Sequence, residues 1–224
     1  MLKARKRISK RQIKEDKFVT FYFKALDFYK AHSSKVTIGL IAISAIIILI
    51  FFLIQSKKTA ELNASEQLAR ANTEIGRGEL QQAVDILSNM SENYSGTRSA
   101  SKGVYLLAYT YFQKGEYENA ITSFEKYLDD YADDSILSSA AYSGLGACYE
   151  QLGKFLEAAQ SYEKGATKFT DNYNAPQQLM DAGRCYKLEN RVADARKCYQ
   201  TVIDNYPEST FKSDAELYLA TIKG

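Results

Sequence analysis

The sequence predicts an all-α protein: a single transmembrane helix, then an α-solenoid of about four helical hairpins, then a C-terminal capping helix. Three observations predict it. One pattern of small, large and aromatic residues appears four times, at steps of 37, 38 and 37 residues, and a period of that length belongs to stacked helical hairpins. A run of 19 residues without a charge precedes the repeats, at 36–54. The composition, with two Pro, no Trp and 17 Tyr, leaves long helices uninterrupted.

The leader comes first. Residues 1–35 hold 11 Lys/Arg against 3 Asp/Glu, whereas residues 55–224 hold 18 against 24. Such an asymmetry points to a nucleic-acid tail or to a membrane. The stretch between them, VTIGLIAISAIIILIFFLI, argues for the membrane. As a helix it rises about 28 Å, one hydrocarbon core, and it lacks the polar stripe of a soluble core helix. The basic start and the apolar run are both too long for a cleaved signal peptide, so an uncleaved anchor is expected. The Lys/Arg excess predicts a cytoplasmic N-terminus, with the following 170 residues on the far side, the periplasm in a bacterium. The basic cluster MLKARKRISKRQIKEDKF is expected to set this topology and attract anionic lipid, not to bind nucleic acid. Phe18, Tyr22, Ala25 and Tyr29 then fall at helical spacing. Phe18, Tyr22 and Tyr29 are expected at the membrane interface, in an interfacial helix or against an embedded partner. His32, the single histidine, is expected to snorkel at the membrane edge.

The repeats follow a linker at 55–63. Each reads as two antiparallel helices, the first at about 64–77, 101–114, 139–152 and 176–189, the second starting near 79, 116, 154 and 191. Gly78, Gly115, Gly153 and Asn190 stand at the turns, where a left-handed backbone ends a helix. Ala83, Ala120, Ala158 and Ala195 recur in the second helices and are expected to face Ala71, Ala108, Gly146 and Gly183, because helices approach closely where both carry small side chains. Leu87, Phe124, Tyr162 and Tyr199 lie four residues further on, and Tyr94, Tyr131, Phe169 and Tyr206 close the copies. One hairpin cannot bury these rings, but stacked neighbours can. The repeats are placed at about 64–100, 101–138, 139–175 and 176–212. The closing helix is placed at 213–224, with Thr210 or Ser213 as its cap.

AYTYFQKGEYENAITSFEKYLDDYADD carries, in order, the small residue, Tyr, Gly, Tyr, Ala and aromatic of the tetratricopeptide repeat, which this chain resembles over about 64–224. Each unit exceeds the family's 34 residues by three or four, and the surplus falls after the second helix, in YSGTRSA, YADDSILSS and FTDNYNAPQ. The first copy is degenerate, with Arg70 and Glu74 where Leu and Tyr are usual, as expected of a terminal repeat. The resemblance implies a concave groove lined by the first helices: Leu68 and Asn72, then Tyr105, Tyr109 and Phe112, then Ser143, Ala147 and Gln151, then Met180, Arg184 and Leu188. The family's carboxylate clamp needs Lys and Asn at places held here by Leu68, Tyr105 and Tyr109. An aromatic and Met-lined groove suits apolar or extended polypeptide better. The alternative is that some of these rings pack between helices.

Nothing in the sequence composes an active site. One histidine stands before the anchor, no Gly-rich phosphate loop is present, and Cys148, Cys185 and Cys198 lack metal-ligand spacing. No enzyme activity and no cofactor or metal are expected. Cys148 and Cys185 share one slot in successive first helices, which suggests packing, while a Cys185–Cys198 bridge across one hairpin is allowed in an oxidising compartment.

A basic leg, RKRISKRQIKEDKF, one anchor and an external repeat array together resemble the YfgM family. Members are ancillary subunits of the bacterial SecYEG translocon associated with periplasmic chaperones. The resemblance implies an inner-membrane, single-pass adaptor that receives or passes on polypeptide clients. BamD-type outer-membrane lipoproteins share the repeat style but need a lipid-modified cysteine near the N-terminus. The cell-division coordinator CpoB family carries a coiled coil and is released by signal cleavage. A structural scaffold for division, wall or outer-membrane assembly is the alternative function.

Overall fold

The structure, a computed structural model, describes residues 17–132 and 134–222, without the side chains of Lys17 and Phe18. The basic leader at 1–16 and the Phe18 ring therefore lie outside the described residues. The chain forms two compact units, Met1–Ser56 and Lys57–Gly224. All regular structure among the described residues is helical.

In the first unit, α1 (Lys17–Ala31) ends at His32, and α2 (Ser33–Arg77) begins after it. The Phe28 ring stacks on His32 at 4.9 Å between centroids, and Tyr22 and Tyr29 are exposed. Within α2 lies a window long and apolar enough to cross a membrane, none of it buried. Residues 55–63, QSKKTAELN, are helical within α2. They contain neither Gly nor Pro, so nothing local stops the helix.

The second unit continues from α2 through α3 (Leu80–Asn93), α4 (Arg98–Lys114), α5 (Tyr117–Asp130), α6 (Ser135–Gln151), α7 (Phe155–Lys168), α8 (Ala175–Leu188), α9 (Val192–Asn205) and α10 (Lys212–Thr221). From α3 to α10 each helix packs on the next, and α4 also touches α6, as α6 touches α8. That is the arrangement of an α-solenoid. The two helices of each hairpin are joined by one repeated turn. Gly78, Gly115, Gly153 and Asn190 all have positive φ, between 57° and 81°. The residue after each donates its N–H back to the helix: Glu79 to Glu74, Glu116 to Tyr111, Lys154 to Tyr149 and Arg191 to Tyr186, at 2.8–2.9 Å. These bonds satisfy carbonyls that a helix end otherwise leaves open. The closing aromatics Tyr94, Tyr131, Phe169 and Tyr206 are the C-cap residues of α3, α5, α7 and α9.

Three apolar clusters run along the stack, each drawing on neighbouring hairpins. Ala83, Ala120, Ala158 and Ala195 are fully buried. In the third and fourth hairpins the larger side chain one turn further on lies on the small residue of the first helix. A Cβ built on Gly146 would stand 2.5 Å from Cζ of Tyr162, and one on Gly183 would stand 2.6 Å from Cε1 of Tyr199. Each ring lies over bare backbone, which explains why these two copies carry Gly where the first two carry Ala. The closing helix also differs: its N-cap is Phe211, with no side-chain cap, so neither Thr210 nor Ser213 caps it. Ser209 Oγ instead accepts the Phe211 N–H at 3.2 Å, completing the preceding turn.

Candidate protein-interaction surface

The first-helix positions divide by neighbour. Leu68 is half-buried in the first apolar cluster, and the Asn72 amide donates to the Leu68 carbonyl at 2.9 Å. Tyr105 is half-buried, its ring edge-on to both Phe124 and Tyr127 at 5.8 Å. Phe112 packs on Tyr117 at 5.6 Å. These two rings pack between helices, the alternative noted above. Tyr109 is 42% exposed and Leu188 53% exposed, whereas Met180 is buried. In the third hairpin Ser143 accepts from the buried Gln178 amide at 2.7 Å, and Gln151 accepts from Tyr117 Oη at 3.3 Å.

Arg184 lies at the centre of a polar cluster that the sequence pattern missed. Its Nη1 and Nη2 donate to the two oxygens of Glu150 at 2.7 and 2.8 Å, and Nη2 reaches Asp181 at 3.2 Å. Tyr162 Oη donates to Glu150 Oε1 at 2.8 Å. Glu150 is on α6 and Arg184 on α8, so the cluster ties the third hairpin to the fourth. Burial pushes the Glu150 carboxyl up, but the hydrogen bonds from Arg184 and Tyr162 outweigh it and hold the group below the usual range. Asp181 goes the other way, because its burial outweighs the more distant guanidinium. A second tie, Tyr186 Oη and Lys197 Nζ to Glu163 at 2.7 and 2.9 Å, joins the same hairpins elsewhere.

The three cysteines are free and buried. The Cys185–Cys198 bridge allowed by the sequence is not formed. Burial raises both thiols, with Glu150 adding to the rise at Cys185 and Glu163 at Cys198. No group of three or more His, Cys, Asp or Glu placed to hold a metal occurs among the described residues.

A concavity of about 560 Å³ sits between α5, α6 and α7, beside Glu125, Tyr142, Tyr149 and Lys164. Three more, of about 410, 450 and 870 Å³, follow the loops that join one hairpin to the next. Exposed apolar side chains mark these loops: Ile136 is 57% exposed and Tyr173 77%. Their place after the second helix, among the surplus residues of each unit, was the available signal.

In solved structures, the chain is similar to MamA (residues 41 to the end) from Desulfovibrio magneticus RS-1, with a TM-score of 0.54 at 16% identity, over 71% of this chain and 82% of that one. It is also similar to a kinesin light chain from Podosopora anserina with nearly identical TPR-like repeats, with a TM-score of 0.53 at 17% identity, over 66% and 76% of the two chains. In sequence it is 26% identical over 124 residues to the chaperone protein SicA of Salmonella dublin, covering 54% of this chain and 69% of that one. The fold is that of a tetratricopeptide-type repeat scaffold. The chain belongs to the YfiO family, described as outer membrane lipoprotein, whose model matches residues 60–224. The match thus begins after the apolar stretch and covers the repeat array. The three cysteines stand at 148, 185 and 198, inside the matched array.

Proposed function

We propose that this protein is a membrane-anchored adaptor whose repeat array binds polypeptide partners. The observation that carries the reading is the exposure of Tyr109 and Leu188 on first helices, where Tyr105 and Phe112 are packed inward. Exposed apolar side chains on a rigid frame are what an extended or helical peptide needs. Leu68, Asn72, Tyr105, Phe112, Met180 and Arg184 then frame the groove, with Tyr105 and Phe112 as its floor and Arg184 as a charge fixed by Glu150.

The apolar helix, its basic flank and the resemblance to translocon-associated proteins support the finer form of the proposal. The chain spans the inner membrane once, with its leader cytoplasmic and its array periplasmic. Tyr22 and Tyr29, with Phe18, sit at the interface, and the clients are polypeptides at SecYEG, handed to or from periplasmic chaperones. No nucleic acid is engaged. The family match favours a second reading, a structural scaffold for outer-membrane assembly.

Site-specific crosslinking in native membranes separates the two. Probes at positions 18–54 are expected to capture SecYEG components in the first reading. In the second, only probes in the array capture a partner, a component of outer-membrane assembly. Protease added to spheroplasts is expected to digest the array, and its survival would overturn the topology.

A further inference from the structure

Glu61 defines a register position at the junction between hairpins. Its carboxylate accepts the N–H groups of Arg98 and Ser99, at 2.8 and 3.2 Å, and the Ser99 hydroxyl at 2.7 Å. The start of α4 is thereby closed by the preceding hairpin. The steps of 37, 38 and 37 residues carry position 61 to Arg98, Ile136 and Tyr173. Each of these lines a cleft at the following junction, and the third cleft is bridged where Tyr206 Oη donates to the Thr170 carbonyl at 3.0 Å. Arg98 lines the cleft of about 410 Å³ against the start of α6. Ile136 lines that of about 450 Å³ against the 169–173 loop, and Tyr173 that of about 870 Å³ against the 206–211 loop. Neighbouring clefts share residues: Ser135 and Ile136 belong to the first and second, Thr170 to Tyr173 to the second and third. They form one track along the loop edge of the array.

The track is graded. At its α4 end stand the exposed Arg98 and Lys102, whereas the Asp134 carboxylate beside them is engaged, with Oδ1 accepting from Ile136 and Leu137 at 2.9 and 3.1 Å. The middle and far parts offer Ile136, Phe169, Tyr173, Tyr206 and Phe211. We infer that the loop edge docks an extended polypeptide that sets an acidic residue between Arg98 and Lys102 and apolar side chains in the next two clefts. This rests on the reading of the protein as a polypeptide-binding adaptor, and gives that function a second surface with a defined partner chemistry. First helices that touch lie about 10 Å apart, roughly three residues of extended chain. The matching motif therefore carries an acid and two bulky apolar residues at intervals of about three.

The test is binding of two fluorescent synthetic peptides to the full chain in lipid nanodiscs. One carries Asp, Leu and Phe at three-residue intervals, and the other has Lys in place of Asp. The expected result is that Tyr173→Ala and Lys102→Glu each weaken the Asp peptide at least tenfold, that Lys102→Glu improves the Lys peptide, and that Tyr109→Ala and Leu188→Ala change neither. Both edge residues are exposed, so circular dichroism is expected to match the parent. Binding lost in Tyr109→Ala or Leu188→Ala but unaffected by the edge variants overturns the inference and leaves the groove reading standing. Binding indifferent to all four variants, or no binding, overturns the inference, while crosslinking in membranes still judges the adaptor reading.

Discussion

Gly183 lies beneath the ring of Tyr199, so close that a methyl group added to the glycine would come within 2.6 Å of Cε1 and 2.7 Å of Cζ. The same relation holds between Gly146 and Tyr162. Ring and glycine belong to the two helices of one hairpin, and their contact sets how closely those helices approach.

Gly146→Ala and Gly183→Ala are therefore expected to destabilise the array. Forcing a methyl into a packed contact costs about 1–3 kcal/mol, which for a domain of this size lowers Tm by roughly 2–4 °C per kcal/mol. Gly76→Ala is the control, because nothing lies within 4 Å of a Cβ there and the residue is inside α2. It is expected to stabilise by up to about 1 kcal/mol. Thermal unfolding followed by circular dichroism measures all three, and a neutral Gly183→Ala would refute the packing argument.

The turns respond by backbone conformation alone. Gly115 has φ 78° and Asn190 φ 57°. Gly115→Ala places a side chain in the left-handed region and is expected to cost about 1 kcal/mol or more. Asn190→Gly relieves that region, so its effect should be smaller, and of either sign. Urea unfolding midpoints at constant m-value report both.

Acid is expected to loosen the third and fourth hairpins first. The Glu150 and Glu163 carboxyls are held below their ordinary range, their burial outweighed by bonds from Arg184 and Tyr162, and from Tyr186 and Lys197. A lowered folded-state value means stability that is complete above the unfolded carboxylate range, about pH 4.3, and lost as pH falls through the folded values. Asp181, held up by burial, works in the opposite sense. Glu150→Gln with Glu163→Gln should flatten the fall of Tm below pH 5. The Arg184 side chain is 48% exposed, so solvent screens the pair, and Arg184→Ala near neutral pH is expected to cost no more than about 1 kcal/mol. A fall of Tm unchanged in the double variant would refute the assignment.

Burial pushes the Cys148, Cys185 and Cys198 thiols each up to about 12. At pH 8 the thiolate fraction is then small, and the thiols lie in the core. The folded chain is expected to resist maleimide at pH 8 over minutes, and the denatured chain to take up three equivalents. Rapid labelling of the native protein, or fewer than three after unfolding without reductant, would contradict free, buried cysteines.

Much of the hairpin frame was legible because its determinants are local. A residue that tolerates positive φ ends a helix wherever it stands, so Gly78, Gly115, Gly153 and Asn190 announced their turns. The closing aromatics, at constant distance from those turns, became the helix C-caps. The period itself implied stacking, since no single hairpin hides its rings. The closing helix was legible as a helix but not in its cap, because Phe211 takes that position through a Ser209 turn that depends on the preceding loop.

The candidate surfaces were legible only in part. Tyr105 and Phe112 occupy groove positions by register, yet their rings turn inward, while Tyr109 faces out. The 34 residues between Glu150 and Arg184, and the 37 between Glu61 and Arg98, carry no signal of contact. The sequence by itself determined the helical class, the apolar stretch, the number of hairpins and the place of each turn, because backbone conformation and periodic burial act over a few residues. Only the tertiary structure decided which charges meet and which rings stay outside. Those outcomes depend on how one hairpin is rotated against the next, a packing angle that no single repeat encodes.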